Sequence, residues 1–308
     1  MAHLENFTDV EDVLCVDCTR EGYVGVTIDP ALQALWDSWE DPATQYVKPF
    51  KIFDNVYYVG IDWVSAYLID TGDGLVLIDS LYGKWVPLLM NNIRAVGFNP
   101  SDIKYVINTH GHFDHAGGSA YLQKVHGAEI VMTAEDWAIA RAEPELPQFY
   151  MPQPNVDIVA KDGDTITLGD NTFELFNTPG HTTGVLSIRY TVREGDNEYT
   201  AMTLGGVGLN FSGVARTETY IKSYERLQSI QNGTSVSLPN HQEMGKVFAR
   251  RDLAAAQPSG AANPFVNPDS YKQDLSAFLT AAKVKLAQEK AGTAPTELEA
   301  LKNAITDS

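Results

Sequence analysis

The chain has 308 residues, of which 44% are hydrophobic, so it is long enough for one large domain or two small ones with a buried core. No stretch approaches the roughly 18 consecutive apolar residues that a membrane span needs, so we expect no membrane partner. The net charge of −18 repels phosphate groups, which argues against nucleic acid as a partner.

The first 45 residues are irregular and acidic, and we treat 1–45 as an N-terminal extension. Its start has no basic region and no apolar core, so we expect a cytoplasmic protein, or a periplasmic or secreted one whose signal was removed. Cys15 and Cys18 lack the second ligand pair of a zinc site, which leaves a local disulfide and two free thiols as alternatives. A short helix is predicted over Pro30–Trp39, with Trp36 and Trp39 packing onto the main body.

From residue 46 the sequence changes to short β-rich runs separated by turn residues, which predicts an antiparallel meander. The predicted strands are Phe50–Phe53, Val56–Val59, Ala66–Asp70 and Leu75–Ile78. Apolar residues at helical spacing predict a helix over 84–96, and the apolar run that follows predicts a buried strand at Lys104–Ile107. Further elements are a helix from Gly118 to Val125, a strand at Glu129–Met132 and a helix at Ala134–Arg141.

The second half repeats this plan after a loop at Glu143–Ile158, which is rich in proline and aromatic residues. The predicted strands are Thr165–Leu168, Thr172–Phe176, Val185–Tyr190, Tyr199–Leu204 and Val236–Leu238. The predicted helices are Thr219–Gln231, Asp269–Lys290 and Ala294–Ile305. We therefore expect an α/β fold of two β-rich halves packed face to face with helices outside, a catalytic domain over 46–291 and a helical tail over 292–308.

The stretch from Thr109 to Gly118 holds three imidazoles and a carboxylate within six positions, directly after an apolar run. These groups cannot all be buried without partners, because each unsatisfied group costs roughly 1–3 kcal/mol. A divalent metal satisfies them together, and imidazole with carboxylate is a ligand set of zinc. His181 and His241 also follow predicted strands, in rigid turns beside proline, glycine or asparagine.

Five histidines and one aspartate are too many for one zinc ion with an open position, but they suit two ions with three ligands each. His110 and His112 point the same way in an extended segment, so they can share one metal with His181. Asp114 and His115 can face a second metal that His241 completes. Two zinc ions about 3.5–4 Å apart can hold a hydroxide nucleophile and polarise a carbonyl, which predicts hydrolysis of a small-molecule substrate.

We assign a catalytic role to three of these ligands, Asp114, His181 and His241. Trp63, Phe149 and Tyr150 are candidate walls of a substrate pocket, since their loops flank the predicted site. Gly206 and Gly208 are candidate substrate contacts, because backbone N–H groups of a glycine-rich turn can bind an anion. Two histidines remain outside the ligand sets. We expect His126 to be a structural residue at a helix end and His3 to belong to the N-terminal tail.

The motif His110–Gly118 resembles the H-x-H-x-D-H signature of the metallo-β-lactamase superfamily. Several other segments resemble the third subclass of class B β-lactamases, and the resemblance spans roughly residues 45–290. These segments are 49–60, 65–69, 74–79, 95–98, 161–164 and 263–268. The resemblance implies an αββα sandwich and a dizinc site, in which His110, His112 and His181 match one ligand set and Asp114, His115 and His241 match the other.

The turn at Gly205–Asn210 departs from that family pattern. It carries neither the metal-bridging aspartate of most superfamily hydrolases nor the serine hydroxyls of the third subclass. The first difference argues against a typical lactonase, glyoxalase or persulfide dioxygenase, and the second weakens the recognition of a β-lactam. The alternatives to a β-lactamase are a dizinc hydrolase of a lactone, ester or other amide, a mononuclear iron oxidoreductase, and a metal-binding protein without catalysis.

Overall fold

Two mixed β-sheets form the centre of the computed structural model, which describes residues 30–142, 149–231, 233–258 and 260–295. The first sheet has seven strands in sequence order, antiparallel from β1 to β4 and parallel from β4 to β7. They are β1 (Phe50–Phe53), β2 (Val56–Tyr58), β3 (Tyr67–Asp70), β4 (Leu75–Ile78), β5 (Ile103–Ile107), β6 (Glu129–Thr133) and β7 (Ile158–Ala160).

The second sheet has five strands in the order β12-β11-β10-β9-β8, all antiparallel except for the parallel pair β11 and β12. They are β8 (Thr165–Leu168), β9 (Asn171–Asn177), β10 (Leu186–Glu194), β11 (Asn197–Thr203) and β12 (Thr234–Ser237).

Alternating side chains of the first sheet enter two different cores, as the pleat of a strand requires. On β4, Val76 and Ile78 pack towards the second sheet, whereas Leu75 and Leu77 pack towards the helices. All four residues are buried, so the strand has no polar face.

Helices cover both outer faces of the two sheets. The longer helices are α1 (Pro30–Trp39), α3 (Trp85–Ala95), α6 (Ala134–Ala140), α7 (Val214–Ser229), α8 (Val247–Ala256) and α9 (Pro268–Ala291). Single turns form α2 (Pro42–Gln45), α4 (Phe113–Ala116) and α5 (Ser119–Tyr121), and a π-helical turn spans Leu122–His126. Side chains of α3 join the core outside the first sheet, and those of α7 and α9 join the core outside the second. The four layers confirm the αββα sandwich.

Most predicted elements are confirmed to within a few residues. One helix begins earlier than predicted, and several short or exposed elements were not predicted, among them β7 and α8. Helix α7 begins at Val214, five residues before the predicted start, because its first turns are polar and have no apolar periodicity. Strand β7 was not predicted, since three residues at a sheet edge are too short for a pattern. Helix α8 was not predicted either, because only Val247 of its ten residues is buried.

Several predictions fall outside the described residues. These are His3, the cysteine pair, the first part of the proline-rich loop (143–148) and nearly all of the predicted terminal helix. Within the described ranges, every helix is too short or too polar to cross a bilayer.

Candidate metal centre

The histidine motif lies where strand β5 ends and the short helix α4 begins. His110 lies in the loop between these elements, and His112 is the residue that caps the helix N-terminus, with extended backbone. Asp114 and His115 belong to the helix itself. The change from loop to helix turns the two pairs of side chains in different directions, which agrees with the split expected from their spacing.

The other two ligand candidates follow strands of the second sheet. His181 lies in the turn after β9, and His241 lies in the turn after β12. The peptide N–H of Asn240 donates to the carbonyl of Leu204, at the end of β11, and that of Ser65 donates to the carbonyl of Asn240. The turn that carries His241 is thus fixed to both sheets, which lets ligands from the two halves meet.

Three imidazole nitrogens of the first set converge on one point. His112 Nδ1 lies 3.1 Å from His110 Nε2 and 3.0 Å from His181 Nε2. All three side chains are buried or half-buried, so water cannot separate them freely. A cation between the three nitrogens accounts for this approach, and the structure brings together the predicted set His110, His112 and His181.

The second set converges in the same way. His115 Nε2 lies 3.0 Å from Asp114 Oδ2 and 3.2 Å from His241 Nε2, and the remaining distance, from Asp114 Oδ2 to His241 Nε2, is 3.8 Å. The two sets are neighbours, because ligand atoms of His110, Asp114 and His115 all lie within 4.8 Å of one another. The six predicted ligands therefore form one continuous centre.

Backbone carbonyls fix the tautomers of two ligands. His181 Nδ1 lies 2.9 Å from the carbonyl oxygen of Gly208, and His241 Nδ1 lies 2.8 Å from that of Trp63. A carbonyl only accepts hydrogen bonds, so Nδ1 must carry the proton in both rings. The lone pair is then on Nε2, the atom that faces the other ligands, as is usual for a metal-binding histidine.

Asp79 is the functional residue that the sequence reasoning missed. This fully buried carboxylate, at the end of β4, accepts hydrogen bonds from the peptide N–H of Thr109 (2.7 Å), from Thr109 Oγ1 (2.9 Å) and from His115 Nδ1 (2.7 Å). The Thr109 hydroxyl in turn lies 3.1 Å from His110 Nδ1. One carboxylate therefore orients a ligand from each set. Asp79 also has φ 61°, a left-handed conformation that aspartate tolerates better than most residues.

The electrostatics of the centre favour a cation. Burial lowers the pKa values of His112 and His241 to about 4, and it holds those of His110 and His181 well below the usual value. These four imidazoles are neutral at pH 7 and present lone pairs. The pKa of Asp114 is lowered, because the attraction of the surrounding histidines outweighs its burial.

His115 is the exception. Its burial alone would lower its pKa, but the attraction of Asp114 and Asp79 prevails and raises the value to about 10. The position between two buried carboxylates thus attracts positive charge. A metal ion on Nε2 would take the place of the proton that Asp114 attracts there. Five imidazoles and one carboxylate are a donor set that fits zinc and its neighbours.

Aromatic rings line one side of the centre. The Trp63 ring lies 5.7 Å from that of His241, and Phe149 stacks on Phe113 with ring centroids 4.9 Å apart. Tyr150 is half-buried beside Phe149. These positions are compatible with a pocket wall, and the substrate role of Trp63, Phe149 and Tyr150 stays a prediction.

The glycine-rich turn after β11 packs behind His181. A side chain at Gly206 would lie 2.9 Å from His181 Cβ, and the carbonyl of Gly208 holds the His181 ring. Both glycines thus support a ligand in the structure, and their contact with substrate stays a prediction. His126 lies apart from the ligand sets, with Nδ1 3.1 Å from Ser101 Oγ, as expected for a structural residue.

Comparisons with known proteins agree with this geometry. The model of the metallo-beta-lactamase superfamily matches residues 60–194. In three dimensions the chain is similar to the subclass B3 metallo-β-lactamase of Bradyrhizobium japonicum, with a TM-score of 0.74 and 29% identity, over 82% of this chain and 99% of that one. These matches confirm the resemblance that the histidine motif indicates.

The curated sequence relatives carry names that refer to substrates other than β-lactams. An N-acyl homoserine lactonase of Bacillus sp is 29% identical over 148 residues, which are 41% of this chain and 57% of that protein. A hydroxyacylglutathione hydrolase of Maricaulis maris is 34% identical over 97 residues, which are 32% of each chain. The chain thus spans about half the length, or less, of these curated relatives.

Proposed function

We propose that this member of the metallo-β-lactamase superfamily is a zinc-dependent hydrolase that opens the cyclic amide of a β-lactam. The observation that carries the proposal is the pair of adjoining ligand sets, three histidines in one and aspartate with two histidines in the other. Such a division suits two ions, each with three protein ligands and an open position.

Zinc ions held by these residues would supply a hydroxide at neutral pH and polarise the carbonyl to be attacked. The chain's own contribution begins with orientation. The carbonyls of Gly208 and Trp63 and the carboxylate of Asp79 keep each ring aimed inward, so no reorganisation is needed during the reaction.

Asp114 is the one carboxylate among the six donors, and its pKa is low, so it stays ionised at pH 7. We assign to it the orientation of the attacking hydroxide, because an ionised carboxylate oxygen can accept that group's hydrogen bond. The ring of Trp63 lies 5.7 Å from that of His241 and 6.2 Å from that of Phe113, which gives the centre an apolar flank. Exclusion of water on that side by a bound substrate would strengthen the electrostatic interactions of the centre.

Turnover of a chromogenic cephalosporin and of a carbapenem by the zinc-loaded protein tests this proposal. We expect hydrolysis of at least one of them, two zinc ions per chain, and loss of turnover in Asp114→Ala. The same activity would raise the concentration of antibiotic that a susceptible bacterium survives when it expresses the chain. Full zinc occupancy without turnover of either compound would refute the β-lactam substrate.

Hydrolysis of a lactone is the second candidate, and two observations favour it. The curated relatives include an N-acyl homoserine lactonase, and the turn at Gly205–Asn210 lacks the hydroxyls expected for a β-lactam carboxylate. The turn also lacks the metal-bridging aspartate of typical lactonases, so this candidate stays second. An N-acyl homoserine lactone assayed beside the cephalosporin distinguishes the two, because the larger kcat/KM identifies the substrate class.

A further inference from the structure

The N-terminal helix reaches the second ligand set through a pair of stacked tryptophans. Trp39, the last residue of α1, lies with its ring centroid 3.8 Å from that of Trp63, and the two planes differ by 5°. Trp63 is the residue whose carbonyl oxygen accepts the Nδ1–H of His241. One indole of the N-terminal segment therefore lies directly on the residue that orients a metal ligand.

The backbone of Trp63 is held from the same segment. Gln45 lies at the end of α2. Its side-chain oxygen accepts a hydrogen bond from the peptide N–H of Trp63 at 3.0 Å, and its main-chain carbonyl accepts one from the N–H of Asp62 at 2.9 Å. The Gln45 amide also donates to the carbonyl of Ser38 at 3.4 Å, which ties it to α1. Gln45 is only 6% exposed, so these bonds are shielded from water.

The helix end is itself fixed to the catalytic domain. The carbonyl oxygen of Trp39 accepts hydrogen bonds from Tyr82 Oη and from Trp85 Nε1, both at 3.1 Å. Lys84 pairs with Glu40 at 3.0 Å. Trp39 is thus held on one side by hydrogen bonds from Tyr82 and Trp85 and on the other by stacking on Trp63. A change at Trp39 should therefore change the position of Trp63.

We infer that residues 30–45 position His241 for the second metal ion, with Trp39 and Gln45 as the positioning residues. The effect is selective, because the first set takes its outer hydrogen bonds from elsewhere. His110 bonds to Thr109 and His181 to Gly208. Loss of Trp39 or Gln45 lets the Trp63 carbonyl move away from His241 Nδ1. The His241 ring is then no longer held in the tautomer and orientation that present Nε2 to the metal.

This inference rests on the proposed two-metal site, and zinc affinity at each site tests it without any assay of turnover. The titration uses a chromogenic chelator as competitor and compares the wild-type chain with Trp39→Ala, Trp39→Phe and Gln45→Ala. Trp36→Ala is the matched control, since Trp36 lies on the same helix and its ring contacts Tyr82, Phe113 and Phe149.

We expect Trp39→Ala and Gln45→Ala to weaken the second zinc ion about tenfold, at the lower end of the range for residues that support a metal ligand, and to leave the first unchanged. Trp39→Phe keeps a stacking ring and should restore most of the affinity, which a loss of folding alone would not allow. Trp36→Ala should bind both ions as the wild-type chain does.

Equal affinities in the wild-type chain and Trp39→Ala, or equal weakening of both ions, would overturn the inference while leaving the two-metal proposal intact. A wild-type chain that binds a single ion would instead overturn the two-metal proposal, and the inference with it. Thermal unfolding of each variant without metal identifies any variant that is unfolded.

Discussion

Replacement of Asp79 by asparagine should weaken metal binding at the second site. Asp79 accepts three hydrogen bonds, two from Thr109 and one from His115. Asparagine keeps the size of the side chain and tolerates φ 61°, but one of its two terminal groups only donates. If that group faces His115, the imidazole must place its proton on Nε2, where the metal would bind. If it faces the other way, the N–H of Thr109 loses its acceptor.

These two orientations of the asparagine amide set the expected loss of zinc affinity and of stability. Loss of an outer hydrogen-bond partner usually costs 10- to 100-fold, so we expect the second zinc ion to bind about 10- to 100-fold more weakly. One buried donor left without an acceptor should lower the free energy of unfolding by about 1–3 kcal/mol. Asp79→Ala breaks all three bonds and places a left-handed alanine in the loop, so it should cost more, about 3–5 kcal/mol.

Chelator competition gives the zinc affinities, and denaturant unfolding of the metal-free proteins gives the stabilities. The order wild type, Asp79→Asn, Asp79→Ala is expected in both measurements. If Asp79→Asn binds both ions as tightly as the wild-type chain, the claim that Asp79 sets the His115 tautomer is wrong.

Three further predictions concern the motif and its surroundings. His112→Ala should remove zinc from the first site and abolish hydrolysis, while His126→Ala should keep both nearly intact; equal losses in metal content and turnover would show that His126 is misassigned. Gly111→Ala should unfold at lower denaturant than Gly127→Ala, because its Cβ would lie 2.2 Å from the carbonyl oxygen of Asp136, whereas Gly127 has open space and a positive φ alone; the reverse order in denaturant midpoint would contradict that packing. Removal of zinc from the wild-type chain should lower its free energy of unfolding by about 2.7 kcal/mol for each bound ion, relative to zinc at about 100 times Kd. Thermal unfolding measures this, and an unchanged midpoint would contradict zinc binding to the folded state.

The sequence predicted the ligands because they are concentrated. His110, His112, Asp114 and His115 stand together in one motif, and His181 and His241 each follow a strand in a rigid turn. The sandwich was also predictable, because apolar runs and turn residues mark most of the strands. These signals depend only on neighbouring residues, so they can be read from the sequence without knowledge of the fold.

The outer partners of the ligands could not be predicted, because each depends on a contact between distant parts of the chain. Asp79 meets His115 across 36 residues, and Trp63 meets His241 across 178. An aspartate at a strand end is common in turns, so Asp79 had no distinctive signal besides its place after an apolar strand. Trp39 was expected to pack on the main body, which is confirmed, but no pattern indicated that its partner would be Trp63.

The metal content of the purified chain tests the central claim most directly. Elemental analysis during a zinc titration should reach two ions per chain and coincide with hydrolysis of a chromogenic cephalosporin. A chain that saturates with one zinc ion, or that retains a single iron ion instead, would contradict the two-metal hydrolase.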